Sequence, residues 1–181
     1  AEGRLFYAAE LRTQISVSPG LMRQVAILEG RVMQGELSRL ELSVRGAGNV
    51  TAVQGANLLS WKVEPAAANG ERRLVVQLNQ PQKDAFALQV QMQSELGAFP
   101  QAVDAMQLRP EGATRFAGHV RVVNEGAVRL EVVQASGLSQ ISPEQFPESD
   151  VTKALFGNPG GSRFAFRFSS ADFALRINAD N

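Results

Sequence analysis

The side chains that most often carry chemistry are sparse in this sequence. It has one histidine, His119, and no cysteine, which excludes a histidine-rich metal site, thiolate ligands, disulfides and thiol catalysis. His119 lies in an alternating stretch, where an ordinary surface or hydrogen-bonded residue is favoured over a catalytic base. A Ser-His-Asp triad would need this histidine, and no Gly-x-Ser-x-Gly turn accompanies it. The sequence therefore predicts no catalytic residue and no metal site.

Acidic residues are densest at Glu144, Glu148 and Asp150. Glycoside hydrolysis needs two carboxylates that converge on a cleft, and a calcium ion needs several oxygen ligands. The spacing matches no EF-hand loop, and the three acids stand around expected helix starts, where a carboxylate favours the positive end of the helix dipole. A structural role is the preferred interpretation, and a hydrolase that uses these acids stays open as an alternative.

A glycine-rich stretch raises the question of a nucleotide cofactor. Gly46-Ala47-Gly48 is like the start of a dinucleotide-binding loop. No third glycine follows at the required place, and no helical pattern follows either. We interpret the stretch as a turn and predict no cofactor.

Two groups of aromatic residues are candidates for binding. Trp61, the one tryptophan, could stack on a sugar ring, although its apolar neighbours favour a place in the core. Phe164, Phe166 and Phe168 alternate with Ala165 and Arg167. They could form an exposed stripe for a protein partner, whereas closing the core is the commoner use of such a pattern. Trp61 is thus the candidate ligand-binding residue, and the three phenylalanines are the candidate partner-binding residues.

Composition excludes several classes of partner. Lys+Arg and Asp+Glu are equal at 18 each, and the basic residues are dispersed, so no nucleic-acid partner is predicted. No stretch reaches the roughly 20 apolar residues that cross a bilayer, so no membrane insertion by this chain is predicted. The first residue is Ala1, which is expected of a processed mature protein or of part of a longer one.

Apolar and polar residues alternate along most of the chain. In Phe86–Gln93 every second residue is large and apolar, and three of the four between them are glutamine. A period of two is typical of a strand with one face on a core and the other in water. Similar runs, the first over Leu5–Val17, predict roughly nine to eleven strands. The predicted fold is all-β, an antiparallel β-sandwich or a partly closed barrel, with one or two short helices near the C-terminus.

Short connections between the runs predict three hairpins. Leu74–Leu78 is expected to pair with Phe86–Gln93 across the connection Gln80–Asp84. Two further hairpins are expected, His119–Val123 with Val128–Gln134 and Phe164–Phe168 with Asp172–Asn178.

One β-sandwich domain is predicted over residues 1–181. Glu95–Gly112 contains two prolines and is expected to be irregular, which places an internal junction near 95–112. A C-terminal helical insertion is predicted at 142–157. Its first turn begins at Ser142-Pro143-Glu144-Gln145, which has a cap residue followed by a first-turn proline, and Ser149–Phe156 is expected to be a second short helix.

Three consecutive strand-like stretches and the opening of a later unit share a further property, namely Val50–Gly55, Leu59–Glu64, Leu74–Asn79 and Arg115–Val122. In their order, these stretches resemble the extracytoplasmic β domains of large, uncharacterised bacterial envelope proteins. The resemblance covers about two-thirds of the chain and does not extend beyond Pro147. It implies a periplasmic, secreted or cell-surface location and a non-catalytic role, and it transfers no functional residues.

We therefore expect a non-enzymatic protein-interaction or structural module of a bacterial envelope or secreted protein, with a protein or another envelope component as partner. The alternative is a carbohydrate-binding or other ligand-binding domain that uses Trp61.

Overall fold

A computed structural model describes residues 4–65, 71–124, 128–147, 163–170 and 173–180 of the chain. Within these ranges the chain forms fourteen strands and one short 3-10 helix, Pro143–Gln145. In chain order, β1 to β14 are Phe6–Ser18, Leu21–Gln34, Leu37–Arg45, Asn49–Gln54, Leu58–Glu64, Arg72–Gln82, Ala85–Glu95, Gln101–Asp104, Gln107–Pro110, Arg115–Asn124, Arg129–Ser136, Ser139–Ile141, Arg163–Phe168 and Ala174–Asp180.

The strands form three sheets. The largest has seven strands in the order β12-β13-β10-β1-β2-β7-β4, and the others are β5-β6-β3-β9 and β11-β14-β8. Among the described strands every pairing is antiparallel except that of β1 with β10, which is parallel. The predicted all-β sandwich class is confirmed, and the described strands do not close into a barrel.

One hydrophobic core takes side chains from all three sheets. The odd-numbered residues of β1 face inward, from Tyr7 to Val17, and all are buried. They share the core with Leu42 of the four-stranded sheet and Ile177 of the three-stranded sheet. Burying a large aliphatic side chain completely stabilises a fold by about 1.5–3 kcal/mol, so the alternation along each strand is the main determinant of this arrangement.

A buried glutamine ties the connection between β8 and β9 to the large sheet. The carboxamide of Gln24, on β2, accepts a hydrogen bond from the Met106 N–H at 2.7 Å. Its Nε2 donates to the Met106 carbonyl at 3.1 Å. Because these atoms are out of contact with water, both backbone groups depend on this one side chain.

The three predicted hairpins are wrong in their pairing. Only Lys83 and Asp84 separate β6 from β7, yet β6 pairs with β3 and β5 while β7 pairs with β2 and β4. Likewise β10 lies between β1 and β13, and β11 pairs with β14. The chain passes from one sheet to another at these connections, so neighbours in sequence are not neighbours in a sheet.

Two other expectations concern the connecting segments. The stretch 95–112 is not irregular throughout, since it contains β8, which pairs with β14, and β9, which pairs with β3. The 3-10 helix begins where the first short helix was predicted, and the Ser142 N–H donates to Gln145 Oε1 at 3.0 Å. The second predicted helix, Ser149–Phe156, lies outside the described residues.

Candidate interaction surface

The predicted phenylalanine stripe is part of the core. Phe166 and Phe168, on β13, are each 2% exposed, and Phe164 is partly buried against the same core. The ring of Phe168 stacks on Phe173 with centroids 4.7 Å apart. The prediction of an exposed partner-binding stripe is therefore corrected: the inward face of β13 carries all three rings, and the alternative use, closing the core, is the observed one.

Trp61 lies on β5, an edge strand of the four-stranded sheet, opposite Val76 of β6. Val76 is fully buried. Trp61 shares its face and is partly buried against the core. Part of the indole is thus occupied by intramolecular packing, and a ligand-binding role for Trp61 stays a prediction.

Of the three predicted acidic residues, one lies among the described residues. Glu144 lies in the 3-10 helix and is exposed, whereas Glu148 and Asp150 lie outside the described residues. Within the described ranges, no three His, Asp, Glu or Cys side chains are grouped so that they could hold a metal ion.

His119 lies on the outer face of the seven-stranded sheet, opposite Arg12 of β1 and Arg167 of β13. Its ring meets the ring of Phe146 edge-on, with centroids 6.2 Å apart. Burial lowers the pKa of His119, Arg167 and Arg12 act in the same direction, and Glu10 opposes them. His119 is therefore a half-buried neutral ring at neutral pH.

The same outer face carries a second, smaller core that the sequence did not indicate. Phe146, which directly follows the 3-10 helix, packs against Ile27 and Ala165. Its ring also covers Arg121, whose guanidinium carbon is 4.6 Å from the ring centroid. Arg121 is 2% exposed, and its Nε donates to Gln14 Oε1 at 2.9 Å. The 3-10 helix thus closes one part of the outer face to water.

The sole tyrosine belongs to the inner face. The Tyr7 hydroxyl donates to the Glu111 carbonyl at 2.5 Å. Burial, with a smaller contribution from the Glu111 carboxylate, raises the pKa of Tyr7 to about 12. The phenol therefore stays protonated well above neutral pH, and its role is to hold the segment after β9 against β1.

Exposed apolar side chains gather at one end of β1 and β2. Five large apolar side chains are exposed among the described residues, and three of them, Leu5, Phe6 and Met33, lie at this end. Phe6 faces Gln34 and Tyr7 faces Val32, so Met33 is the extra residue of a β-bulge beside them. Met33 is 59% exposed. Exposed apolar side chains at one end of a strand pair are a candidate contact surface.

A groove of about 500 Å³ runs beside the first residues of β7. Its floor includes Leu78, Phe86 and Leu88, and the connection 55–57 forms one wall. A side chain at Gly55 would come within 2.7 Å of Leu88 Cδ2. Glycine at this position therefore lets the wall pass closely over β7.

An ion-paired cluster lies on the outer face of the four-stranded sheet. The Glu71 carboxylate bonds to Arg45, and it also accepts a hydrogen bond from Ser43 Oγ at 3.0 Å. These hydrogen bonds lower the pKa of Glu71. The cluster connects the end of β3 to the start of β6, and its charges satisfy one another.

In the part of the chain that the structure describes, no helix has the length and apolar character needed to cross a bilayer.

Comparison with known proteins shows likeness in fold. No family model and no curated protein matches the chain. Yeast LTA4 hydrolase matches over 96% of this chain and 29% of its own, with 12% identity and a TM-score of 0.55. A two-domain M1 zinc metallopeptidase bound to L-tryptophan matches over 95% of this chain and 42% of its own, with 15% identity and a TM-score of 0.50. This chain thus spans less than half the length of each protein, and the likeness concerns the fold.

Proposed function

We propose that the chain is a non-enzymatic β module of a bacterial envelope or secreted protein, and that it acts by binding another polypeptide. The observation that carries this proposal is the extent of the fold match. Nearly all of this chain corresponds to 29% of yeast LTA4 hydrolase, so the same fold occurs there as one part of a longer protein. A fold that forms one part of a longer chain is commonly joined to other folded units through an interface, which supports a role in protein contact.

One exposed apolar surface supports the proposal. Leu5, Phe6 and Met33 leave apolar area in water at the end of the β1–β2 pair. Covering this area with a partner would be favourable at about 25 cal/mol per Å² of apolar surface. The extracytoplasmic part of the proposal is supported by the resemblance carried by Arg115–Val122 and is compatible with the absence of cysteine.

Photo-crosslinking through methionine tests partner binding at this surface. Of the four methionines, Met22, Met92 and Met106 are buried and Met33 is exposed. A chain made with a photo-reactive methionine analogue therefore presents one reactive group to a partner. We expect a product of discrete mass in envelope extracts, and we expect Met33→Leu to remove it.

A matched control moves the exposed methionine to the four-stranded sheet. Leu59 is 64% exposed, so the double variant Met33→Leu/Leu59→Met keeps one exposed probe at a different place. The proposal is contradicted if no product forms through Met33, or if the product persists without it. The non-enzymatic part fails if the purified chain hydrolyses peptide, ester or glycoside substrates and Glu144→Gln abolishes the activity.

A further inference from the structure

The pairing of β2 with β7 fixes which backbone groups of β7 face the groove. The Val32 N–H donates to the Asp84 carbonyl at 2.6 Å. The pair Val32–Asp84 continues the register in which Gly30 faces Phe86 and Leu28 faces Leu88. In an antiparallel pair, residues that exchange hydrogen bonds alternate with residues that do not. Even-numbered residues of β7 therefore bond to β2, and odd-numbered residues direct their N–H and C=O groups to the opposite side.

A contact on β4 supports this assignment. The Gln91 carbonyl, of an odd-numbered residue, accepts a hydrogen bond from Thr51 Oγ1 of β4 at 3.2 Å. It thus faces away from β2, as the alternation requires.

β4 is too short to cover all of β7. β2 pairs with β7 from Ala85 to Glu95, whereas β4 ends opposite Gln89. Among the described residues, no strand lies beside Ala85 and Ala87 on that side, and both residues are exposed. Their side chains are single methyl groups. Gly55, which directly follows β4, lies against Leu88 and the Ala87 carbonyl, so the open backbone groups among the described residues are those of Ala85 and the Ala87 N–H.

The groove sets the form of an occupant. A strand placed beyond Gly55, along Ala85–Ala87, would cover three residues, about 10 Å at 3.3 Å per residue. Its residue opposite Phe86 would point to the apolar floor of the groove, and the residues on either side would point to water. An extended segment with alternating apolar and polar residues fits this pattern.

The lining of the groove favours an uncharged segment. Among the described residues that line the groove, Glu29 is the single charged one, and its carboxylate is ion-paired with Arg12. The remaining polar lining comes from amide side chains such as those of Gln54 and Gln89. A charged side chain placed in the groove would lose water without gaining a counter-charge.

We propose that the groove beside Ala85–Ala87 binds an extended, uncharged segment of a partner polypeptide as an additional strand of the seven-stranded sheet. This inference rests on the proposed function and names a surface and a partner chemistry for it.

Amide hydrogen exchange of the free chain, followed by NMR, tests the open edge. We expect the Ala85 and Ala87 N–H groups to exchange at least about a hundredfold faster than those of Phe86 and Leu88, which bond to β2. Equal protection of all four amides would overturn the proposal, because the edge would then already be paired.

Binding is tested with the synthetic peptide acetyl-Thr-Val-Thr-Val-Thr-amide. We expect saturating peptide to protect the Ala85 and Ala87 amides. Ala87→Pro removes an edge N–H without removing a bond to β2, and it should weaken binding by about tenfold or more. Ala87→Ser keeps the N–H and should bind like the parent chain.

The proposal is refuted if the peptide protects neither amide, or if the Pro and Ser variants bind it equally. It is also refuted if the free chain dimerises and Ala87→Pro prevents this, since the edge would then belong to a second copy. Crosslinking through Met33 uses other residues. A partner captured there while the peptide fails would leave the proposed function standing.

Discussion

The parallel pair β1–β10 depends on a glycine, and replacing that glycine should weaken the fold measurably. Gly118 faces Leu11 across the pair. A methyl group at Gly118 would lie less than 3.0 Å from the Leu11 carbonyl oxygen and 2.8 Å from Phe168 Cζ. The ring could shift, but the oxygen belongs to the backbone of β1 and can move only if the two strands separate.

The size of the effect follows from two opposing contributions. Extra volume in a packed interior costs about 1–3 kcal/mol, and the upper end applies because the obstructing atom is backbone. Replacing glycine by alanine restricts the unfolded chain and returns about 0.4–1 kcal/mol. We expect Gly118→Ala to lower the free energy of unfolding by about 2 kcal/mol, or by about 4–8 °C in the midpoint for a domain of this size.

Urea unfolding followed by the fluorescence of Trp61 measures the difference, since the chain has one tryptophan. Gly97→Ala is the matched control, because a methyl group there meets nothing closer than Gln101 Oε1 at 3.4 Å. The control should be neutral or slightly stabilised. Equal unfolding midpoints for the two variants would refute the reasoning. In Gly118→Ala/Phe168→Leu the ring contact is relieved and the backbone contact is not, so stability should stay low.

Three further predictions concern single groups. The pKa of Tyr7 is raised to about 12, so ultraviolet absorbance should show the phenol ionising near that pH in the folded chain and near pH 10 in urea. Because the folded pKa is the higher one, the stability that this group contributes is retained below pH 10 and lost as the pH rises through about 12. Ionisation of the folded chain at pH 10 would contradict the burial of Tyr7. The pKa of His119 is lowered from 6.5 in the folded chain, so on acidification the unfolded chain takes up the proton first and stability should fall below about pH 6.5. His119→Gln should reduce this loss of stability. Identical dependence of stability on pH in the parent chain and the variant would disprove the assignment. Gln24→Leu leaves the buried N–H and C=O of Met106 without their partner and should lower the free energy of unfolding in urea by about 2–4 kcal/mol. The control Gln91→Leu, at a partly exposed site, should lower it far less. Equal losses in the two variants would argue against the role of Gln24.

Alternation located the strands well but did not identify their neighbours. The first strand was expected over Leu5–Val17 and is Phe6–Ser18. A period of two reports which face of a strand is buried, and it contains no information on which strand lies alongside. The short connection at Lys83 therefore suggested a hairpin, although the chain leaves one sheet there and enters another. Which sheet a strand joins depends on packing across the whole chain and not on its neighbours in sequence.

The candidate site was hidden for the same reason. Whether Ala85 and Ala87 have an open edge depends on where β4 ends, which is set more than 30 residues earlier in the chain. Small residues at 55, 85 and 87 are the signal that sequence reasoning could have used. Arg121 stands on the polar parity of β10, so nothing in its alternation indicated that Phe146 would arrive from a distant turn and cover it.

The distance along the chain between β1 and β10 has a consequence for how the protein is made. Gln14 and Arg121, which meet across this pair, are 107 residues apart. At a synthesis rate of about 5–20 residues per second, β1 waits roughly 5–20 s for its neighbour. During that interval one edge of β1 is open, and such edges are where chains aggregate. Contacts of such long range also slow folding itself. In the finished protein this parallel pair lies in the middle of the largest sheet. In the nascent chain the edge of β1 that β10 will cover stays exposed for the longest time among the described strands.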